Sequence, residues 1–138
     1  MPIEPYLNFD GRCEEAINFY KKALGAEVTM LMRFSENPEP SAPGMMSPGS
    51  ENKVMHSSLR IGDATIMLSD GYCKGSPNFQ GITLSLTVPD EAAADRAFNA
   101  LSDGGKVHMP LAKTFFSPRF GMLADRFGVP WMIIVRQR

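Results

Sequence analysis

Thiol and imidazole side chains are scarce in this chain, which has two cysteines and two histidines in 138 residues. Cys13 and Cys73 are too few and too irregularly spaced for a disulfide framework or a zinc knuckle. Cys13 falls on a helical apolar stripe and reads as a small buried hydrophobe. An excess of charge of either sign is lacking as well. Fourteen basic residues against fifteen acidic ones leave a formal net charge of −1, so no basic surface recommends nucleic acid as a partner. No apolar run approaches the roughly 20 residues that a membrane helix needs. The opening Met1-Pro2-Ile3-Glu4 has neither the basic region nor the apolar core of a secretory signal, and the expected location is cytoplasmic. No serine sits in a nucleophile elbow. The stretch from Gly44 to Gly49 lacks the Lys-Ser/Thr ending of a phosphate loop. Nothing in the pattern suggests a fold that holds a methyl donor.

What is present is an apolar fraction of 43%, enough to build a core. Ten methionines supply adaptable filler for a core or a pocket wall. Tyr6 to Phe9 reads as a short strand. Asp10 or Gly11 then caps a helix in which Cys13, Ala16, Ile17, Tyr20 and Leu24 form one stripe. Glu14 and Glu15 lie in its first turn and Lys21 and Lys22 near its end, as the helix dipole favours, and Gly25 is the left-handed stop. Glu27 to Phe34 has the length of a strand, with Val28, Met30 and Met32 alternating against Thr29, Leu31 and Arg33. Ser35 to Asn52 then carries four prolines and two glycines, a density that excludes a helix or a central strand. This long loop has two readings, a lid over a site or a solvated insertion.

Val54 to Ile61 and Ala64 to Ser69 form a hairpin around Gly62-Asp63. A loop from Gly71 to Gln80 leads to Ile82–Val88, the cleanest alternation in the chain. Pro89-Asp90 starts a second helix with Ala94, Ala97, Phe98 and Leu101 on its stripe, and Gly104-Gly105 ends it. Lys106 to Thr114 and Arg119 to Ala124 read as two more strands, with Pro110 making the first an edge strand or a bulge. Trp131 to Val135 is the last strand, buried on both faces and delivered by the turn Asp125 to Pro130.

The resulting order is strand, helix, three strands, repeated at an offset of about 77 residues. The fold class is α+β: residues 1–138 form one domain built from two βαβββ halves, about 1–72 and 78–138, whose mixed sheets form a cup. Because helices must cover apolar faces, Ile82, Leu84 and Leu86 go beneath a helix, with Trp131 and Ile133. Thr83, Ser85, Thr87, Met132 and Ile134 then face the cup, and the same parity puts Tyr6, Asn8, His56, Ser58 and Arg60 there.

This order carries further detail. Glu15-Ala16-Ile17-Asn18-Phe19-Tyr20-Lys21-Lys22-Ala23-Leu24-Gly25-Ala26 in the first helix resembles the vicinal oxygen chelate superfamily, which includes glyoxalase I, fosfomycin- and bleomycin-resistance proteins and extradiol dioxygenases. Pro5-Tyr6-Leu7, Leu59-Arg60-Ile61-Gly62-Asp63 and Asp125-Arg126-Phe127-Gly128-Val129-Pro130-Trp131 resemble its PhnB-like branch. The resemblance spans nearly the whole chain and implies the fold far more than any activity. In the metal enzymes of that superfamily, His or Glu ligands come from the first strand and a later strand of each half. The matching positions here are Glu4 or Pro5, His56, Gly81 and Met132. Only His56 is plainly competent, and a thioether at Met132 is a poor ligand for a hard cation. The resemblance therefore implies no superfamily-type metal site and no cofactor.

The expected ligand pocket comprises Tyr6, Asn8, His56, Ser58, Arg60, Thr83, Ser85, Phe115 and Met132, a lining suited to a small polar or aromatic molecule. His56 is either a general base or hydrogen-bond donor or a structural histidine. Arg60 either clamps an anion or faces solvent. Phe115, Phe116 and Phe120 stack on a ligand, fill a dimer interface or pack in the core. His108 reads as a surface edge residue. Three functions follow: metal-free binding of a small molecule by a homodimer, metal-dependent lyase or isomerase chemistry of the glyoxalase type, and a structural dimer with a vestigial pocket.

Overall fold

The computed structural model describes residues 2–37, 49–71 and 77–136. Most of the Pro-rich stretch and its lid reading, Cys73 and the middle of the Gly71–Gln80 loop lie outside the described residues. The chain divides into two compact units, Met1–Pro77 and Asn78–Arg138.

The first unit holds β1 (Tyr6–Asn8), α1 (Cys13–Leu24), β2 (Glu27–Arg33), β3 (Val54–Ile61) and β4 (Ala64–Ser69), with a short 3-10 turn at Phe34–Glu36 after β2. Its sheet runs β1-β4-β3-β2. The β1–β4 pair is parallel and the others are antiparallel. The helical stripe does what its spacing predicts: Cys13, Ala16, Ile17 and Tyr20 are buried against the sheet. Burial of each large side chain in such a stripe contributes roughly 1.5–3 kcal/mol. Leu7, Leu59, Ile66 and Leu68 bury the sheet face beneath α1.

The start of α1 departs from expectation. Asp10 and Gly11 do not cap it. The cap position is Arg12, which makes no side-chain cap bond. The free N–H groups there turn instead to Asp70, at the end of β4, whose Oδ1 accepts from Gly11 N at 2.8 Å and Cys13 N at 2.7 Å. Its Oδ2 accepts from Val54 N at 2.8 Å, so one buried carboxylate joins α1, β3 and β4. Gly25 ends the helix at φ 67, as its freedom from a Cβ allows.

The alternation expected in β2 also fails. Val28 pairs with Leu59 but Met30 pairs with Ser58, so Thr29 is an extra residue and Val28 and Met30 fall on opposite faces. A second irregularity lies between Met32 and Arg33.

The second unit repeats the plan with β5 (Leu84–Val88), α2 (Glu91–Ser102), β6 (Lys106–Ala112), β7 (Phe120–Ala124) and β8 (Pro130–Val135). Its order, β5-β8-β7-β6, is that of the first sheet. The β5–β8 pair is again parallel. Asp90 caps α2, its Oδ1 accepting from Ala93 N at 2.7 Å. Ala94, Ala97, Phe98 and Leu101 are buried as the stripe predicts. β6 is an edge strand with two register shifts around Pro110, which has no N–H to give the ladder. β5 begins later than its alternation suggested. Ile82 is 65% exposed and lies outside the strand rather than beneath a helix. The turn into β8 is built on Asp125. Its Oδ1 accepts from Phe127 N and Val129 N, and its Oδ2 from the Trp131 indole at 2.9 Å.

The fold is therefore α+β: two four-stranded mixed sheets of identical strand order, each with one helix.

Candidate functional site

Residues opposite one another on neighbouring strands share a face, so the register sorts the expected pocket residues. In the first unit one row crosses all four strands as Tyr6, Met67, Ser58 and Met30. Beside it His56 lies opposite Met32, and on the other side Arg60 lies opposite Glu27 and Thr65. This face is the reverse of the one that Leu7, Leu59 and Leu68 bury beneath α1. Tyr6, Asn8, His56, Ser58 and Arg60 thus share the helix-free face of their own sheet. The Tyr6 and His56 rings are stacked, with centroids 5.5 Å apart and planes at 29°. His56 Nδ1 is 3.4 Å from the Tyr6 hydroxyl. Arg60 is taken up by an ion pair with Glu27, and both side chains are more than half exposed. A guanidinium already neutralised in this way is a weakened anion clamp.

A cleft of about 460 Å³ opens at the end of this face where β1 and β4 finish. Among the described residues Tyr6, Asn8, Asp10, Phe34, Ser69, Asp70, Gly71 and Pro77 line it. Asp10 stands at φ 51, a left-handed conformation that aspartate tolerates better than most residues. Asp10, Phe34 and Ser69 were not among the expected pocket residues. Asp10 or Gly11 was expected only as a helix cap, and nothing in the sequence tied either to Phe34.

In the second unit the equivalent row is Ser85, Met132, Met122 and Met109. Ser85 and Met132 therefore share the helix-free face of that sheet. Thr83 precedes β5 and belongs to no strand. Phe115 stands apart at the tip of a turn between β6 and β7, where Thr114 Oγ1 accepts from Phe116 N and Ser117 N. The residue is 93% exposed, and its ring meets that of Phe116 edge-on, centroids 5.1 Å apart. Phe116 in turn contacts the buried Phe120. A second cleft, of about 600 Å³, lies at the start of α2 between Asp90, Lys113, Thr114 and Arg136. It contains none of the expected pocket residues.

The divalent metal that the superfamily resemblance raises is not matched by the donors present. Glu4 is exposed ahead of β1, Gly81 offers no side chain and Met132 offers a thioether. Among the described residues no three of His, Cys, Asp and Glu stand together as a metal would need.

Among the described residues three groups are electrostatically perturbed, Cys13 and the paired Glu14 and Arg33, and all lie on or against α1. Burial and the nearby Asp70 carboxylate push the Cys13 thiol up to about 12, so it stays protonated and unreactive. Its Sγ lies 4.0 Å from the buried Ser57 hydroxyl, which donates to Leu68 O. The Arg33 guanidinium, hydrogen-bonded to Glu14 at 2.7 and 3.2 Å, lowers the Glu14 carboxyl below its ordinary range. Arg33 also donates to Asn52 O, tying the two ends of the Pro-rich stretch to α1.

Comparison with known proteins places this chain. The family described as 3-demethylubiquinone-9 3-methyltransferase matches residues 2–134. Protein YjdN of Escherichia coli is 37% identical over 146 aligned positions, covering 100% of this chain and 98% of YjdN. The crystal structure of protein PA1353 from Pseudomonas aeruginosa is 39% identical with a TM-score of 0.86, covering 100% of this chain and 99% of that one. The PhnB protein from Bacillus cereus is 30% identical with a TM-score of 0.80, covering 98% and 99%. A glyoxalase/bleomycin resistance protein/dioxygenase family enzyme from Burkholderia phytofirmans is 12% identical with a TM-score of 0.61, over 98% and 96%, and shares the fold. Matched along almost its whole length and built from two copies of one βαβββ plan, the chain belongs to the PhnB-like family, described as 3-demethylubiquinone-9 3-methyltransferase, and has the fold of the glyoxalase/bleomycin resistance protein/dioxygenase enzymes.

Proposed function

We propose that this protein binds a small molecule without a metal, on the helix-free sheet face of the first unit that carries Tyr6, Asn8, His56, Ser58 and Arg60; the second unit, taken by itself, offers Ser85 and Met132 on its equivalent face, with Thr83 and Phe115 as further candidate contacts. The observation that carries this reading is the Tyr6–His56 ring stack, set among Ser58, Met32 and Met67 and running into the 460 Å³ cleft. Such a lining mixes apolar area with a few orienting polar groups, which is how small-molecule sites are built. In this reading the functional unit is a cytoplasmic homodimer with no nucleic-acid partner. No helix among the described residues is long and apolar enough to cross a membrane.

Methyl transfer is not part of the proposal. Nucleotide-like donors are held at the ends of parallel strands by Gly-rich turns into helices. Here each sheet is largely antiparallel with one helix, and α1 begins at a turn anchored by Asp70.

The test is a thermal-shift screen of chelator-treated protein against small metabolites and glycopeptides, paired with metal analysis of the purified protein. The expected result is a ligand that raises Tm in the absence of metal and loses its effect in His56→Ala or Tyr6→Ala. Stoichiometric metal whose removal abolishes a lyase or isomerase activity would favour the glyoxalase-type alternative. A blank screen would favour a structural dimer.

A further inference from the structure

The 600 Å³ cleft of the second unit contains none of the residues proposed above as small-molecule contacts, and its volume is that of a binding site. The start of α2 lines it with Asp90 and Glu91. The β6–β7 turn and the end of β8 line it with Lys113 and Arg136.

Both sides are held in place. Asp90 Oδ1 caps α2 through Ala93 N at 2.7 Å. The turn is closed by Thr114 Oγ1, which accepts from Phe116 N and Ser117 N. Ser117 is buried, and its hydroxyl, 2.7 Å from Val135 O, joins the turn to the end of β8. Arg119 Nε donates to Asp95 Oδ1 at 2.7 Å and links the end of the turn to α2. The cleft is therefore preformed, and filling it needs little reorganisation.

Arg119 and Asp95 meet directly, but the four charges of the cleft do not. Among the described residues no ion pair joins Asp90 or Glu91 to Lys113 or Arg136. Opposite charges that line one cleft without touching favour a molecule that brings the complementary charge to each. A simple anion would meet the two carboxylates, and a simple cation the ammonium and guanidinium. Pro89, Ala92, Pro118 and Val135 make much of the remaining lining apolar, which suits a short hydrocarbon chain.

We infer that this cleft is a second binding site, for a small zwitterion with its ammonium and carboxylate at opposite ends of a short apolar chain. The ammonium lies toward Asp90 and Glu91, the carboxylate toward Lys113 and Arg136. The inference is independent of the small-molecule reading of the first unit.

Three probes of equal chain length test it: 6-aminohexanoate, hexanoate and hexylammonium. Each is titrated into the isotope-labelled full chain at low salt while backbone amide shifts are followed. The expected result is saturable binding of 6-aminohexanoate, with shifts centred on Glu91, Lys113 and Arg136. Its affinity should exceed that of either single-ended probe by about threefold or more, the scale of an exposed ion pair, and should fall as salt is added. Glu91→Gln removes a charge without touching the cap and should narrow the advantage over hexanoate. Lys113→Gln should narrow the advantage over hexylammonium. Both positions are exposed, so Tm should stay near that of the parent chain. His56→Ala should leave all three affinities unchanged. A single-ended probe binding as tightly as 6-aminohexanoate, an advantage unchanged in both charge variants, shifts centred elsewhere, or no saturable shift would overturn the inference. If 6-aminohexanoate binds as expected while the metabolite screen of the first unit is blank, the small-molecule reading falls and this one stands.

Discussion

At the scale of single residues, Asp70 ties the start of α1 to β3 and the end of β4. Its buried carboxylate replaces the missing cap of α1 and accepts three N–H bonds from two separate segments. Hydrogen bonds to charged groups contribute roughly 1.5–3 kcal/mol each, and orphaned buried donors cost about as much. Asp70→Ala is therefore expected to lower stability by about 3 kcal/mol or more, with Asp70→Asn intermediate, as read from urea unfolding midpoints. Cys13 makes the opposite point, a polar-looking atom with no chemistry to perform. Its thiol lies well above the ordinary 9.0, at about 12, because of burial and the Asp70 carboxylate. A raised folded value means that the native state holds its proton more tightly than the unfolded chain does. The associated stability is complete below pH 9 and drains as pH rises toward 12. In a Cys73→Ser background, a thiol reagent at pH 8 should find no reactive group until denaturant is added. Prompt labelling of Cys13 in the native protein would refute the burial.

At the scale of elements, helices and central strands were the legible part. Stripes at 3.6-residue spacing gave both helices, the hairpin turn at Gly62-Asp63 gave β3 and β4, and the apolar run gave β8 to within a residue, although β8 buries alternate residues rather than both faces. What the pattern could not express was register. Thr29 looks like one more alternating position, yet it is the extra residue of a bulge, because edge strand β2 pairs on one side only. The cap of α1 was illegible for a related reason: Asp10 has the right chemistry next door, but the bond is made by Asp70, far away in sequence. Gly121 shows a contact that composition hides. It lies on β7 where α2 crosses the sheet, and a Cβ there would stand 2.7 Å from the Phe98 ring and 3.0 Å from Leu111. Gly121→Val is expected to destabilise by about 1–3 kcal/mol through overpacking. Gly121→Val combined with Phe98→Leu should recover part of that loss if the ring is the obstacle.

At the scale of the molecule, one plan is used twice, strand order included. Sequence identity between the halves is weak, so the duplication was visible as element order and little else. The candidate site was legible as far as parity goes: Tyr6, Asn8, His56, Ser58 and Arg60 share a face because alternation in β1 and β3 is intact there. The ring stack, the Arg60–Glu27 pair and the cleft reaching Phe34 depend on which strands become neighbours, and no local pattern encodes that. The proposed homodimer predicts sedimentation at twice the chain mass. A concentration-independent monomer would contradict it.

The central claim is that a small molecule is held by Tyr6, His56 and their neighbours with no metal ion taking part. Calorimetric titration of the best thermal-shift ligand into chelator-treated protein, in parallel with His56→Ala, tests it most directly. The account predicts saturable binding that is unchanged by the chelator and weakened about tenfold or more in His56→Ala, the scale of one lost ring contact and hydrogen bond. Binding that vanishes with the chelator and returns with added metal would contradict it.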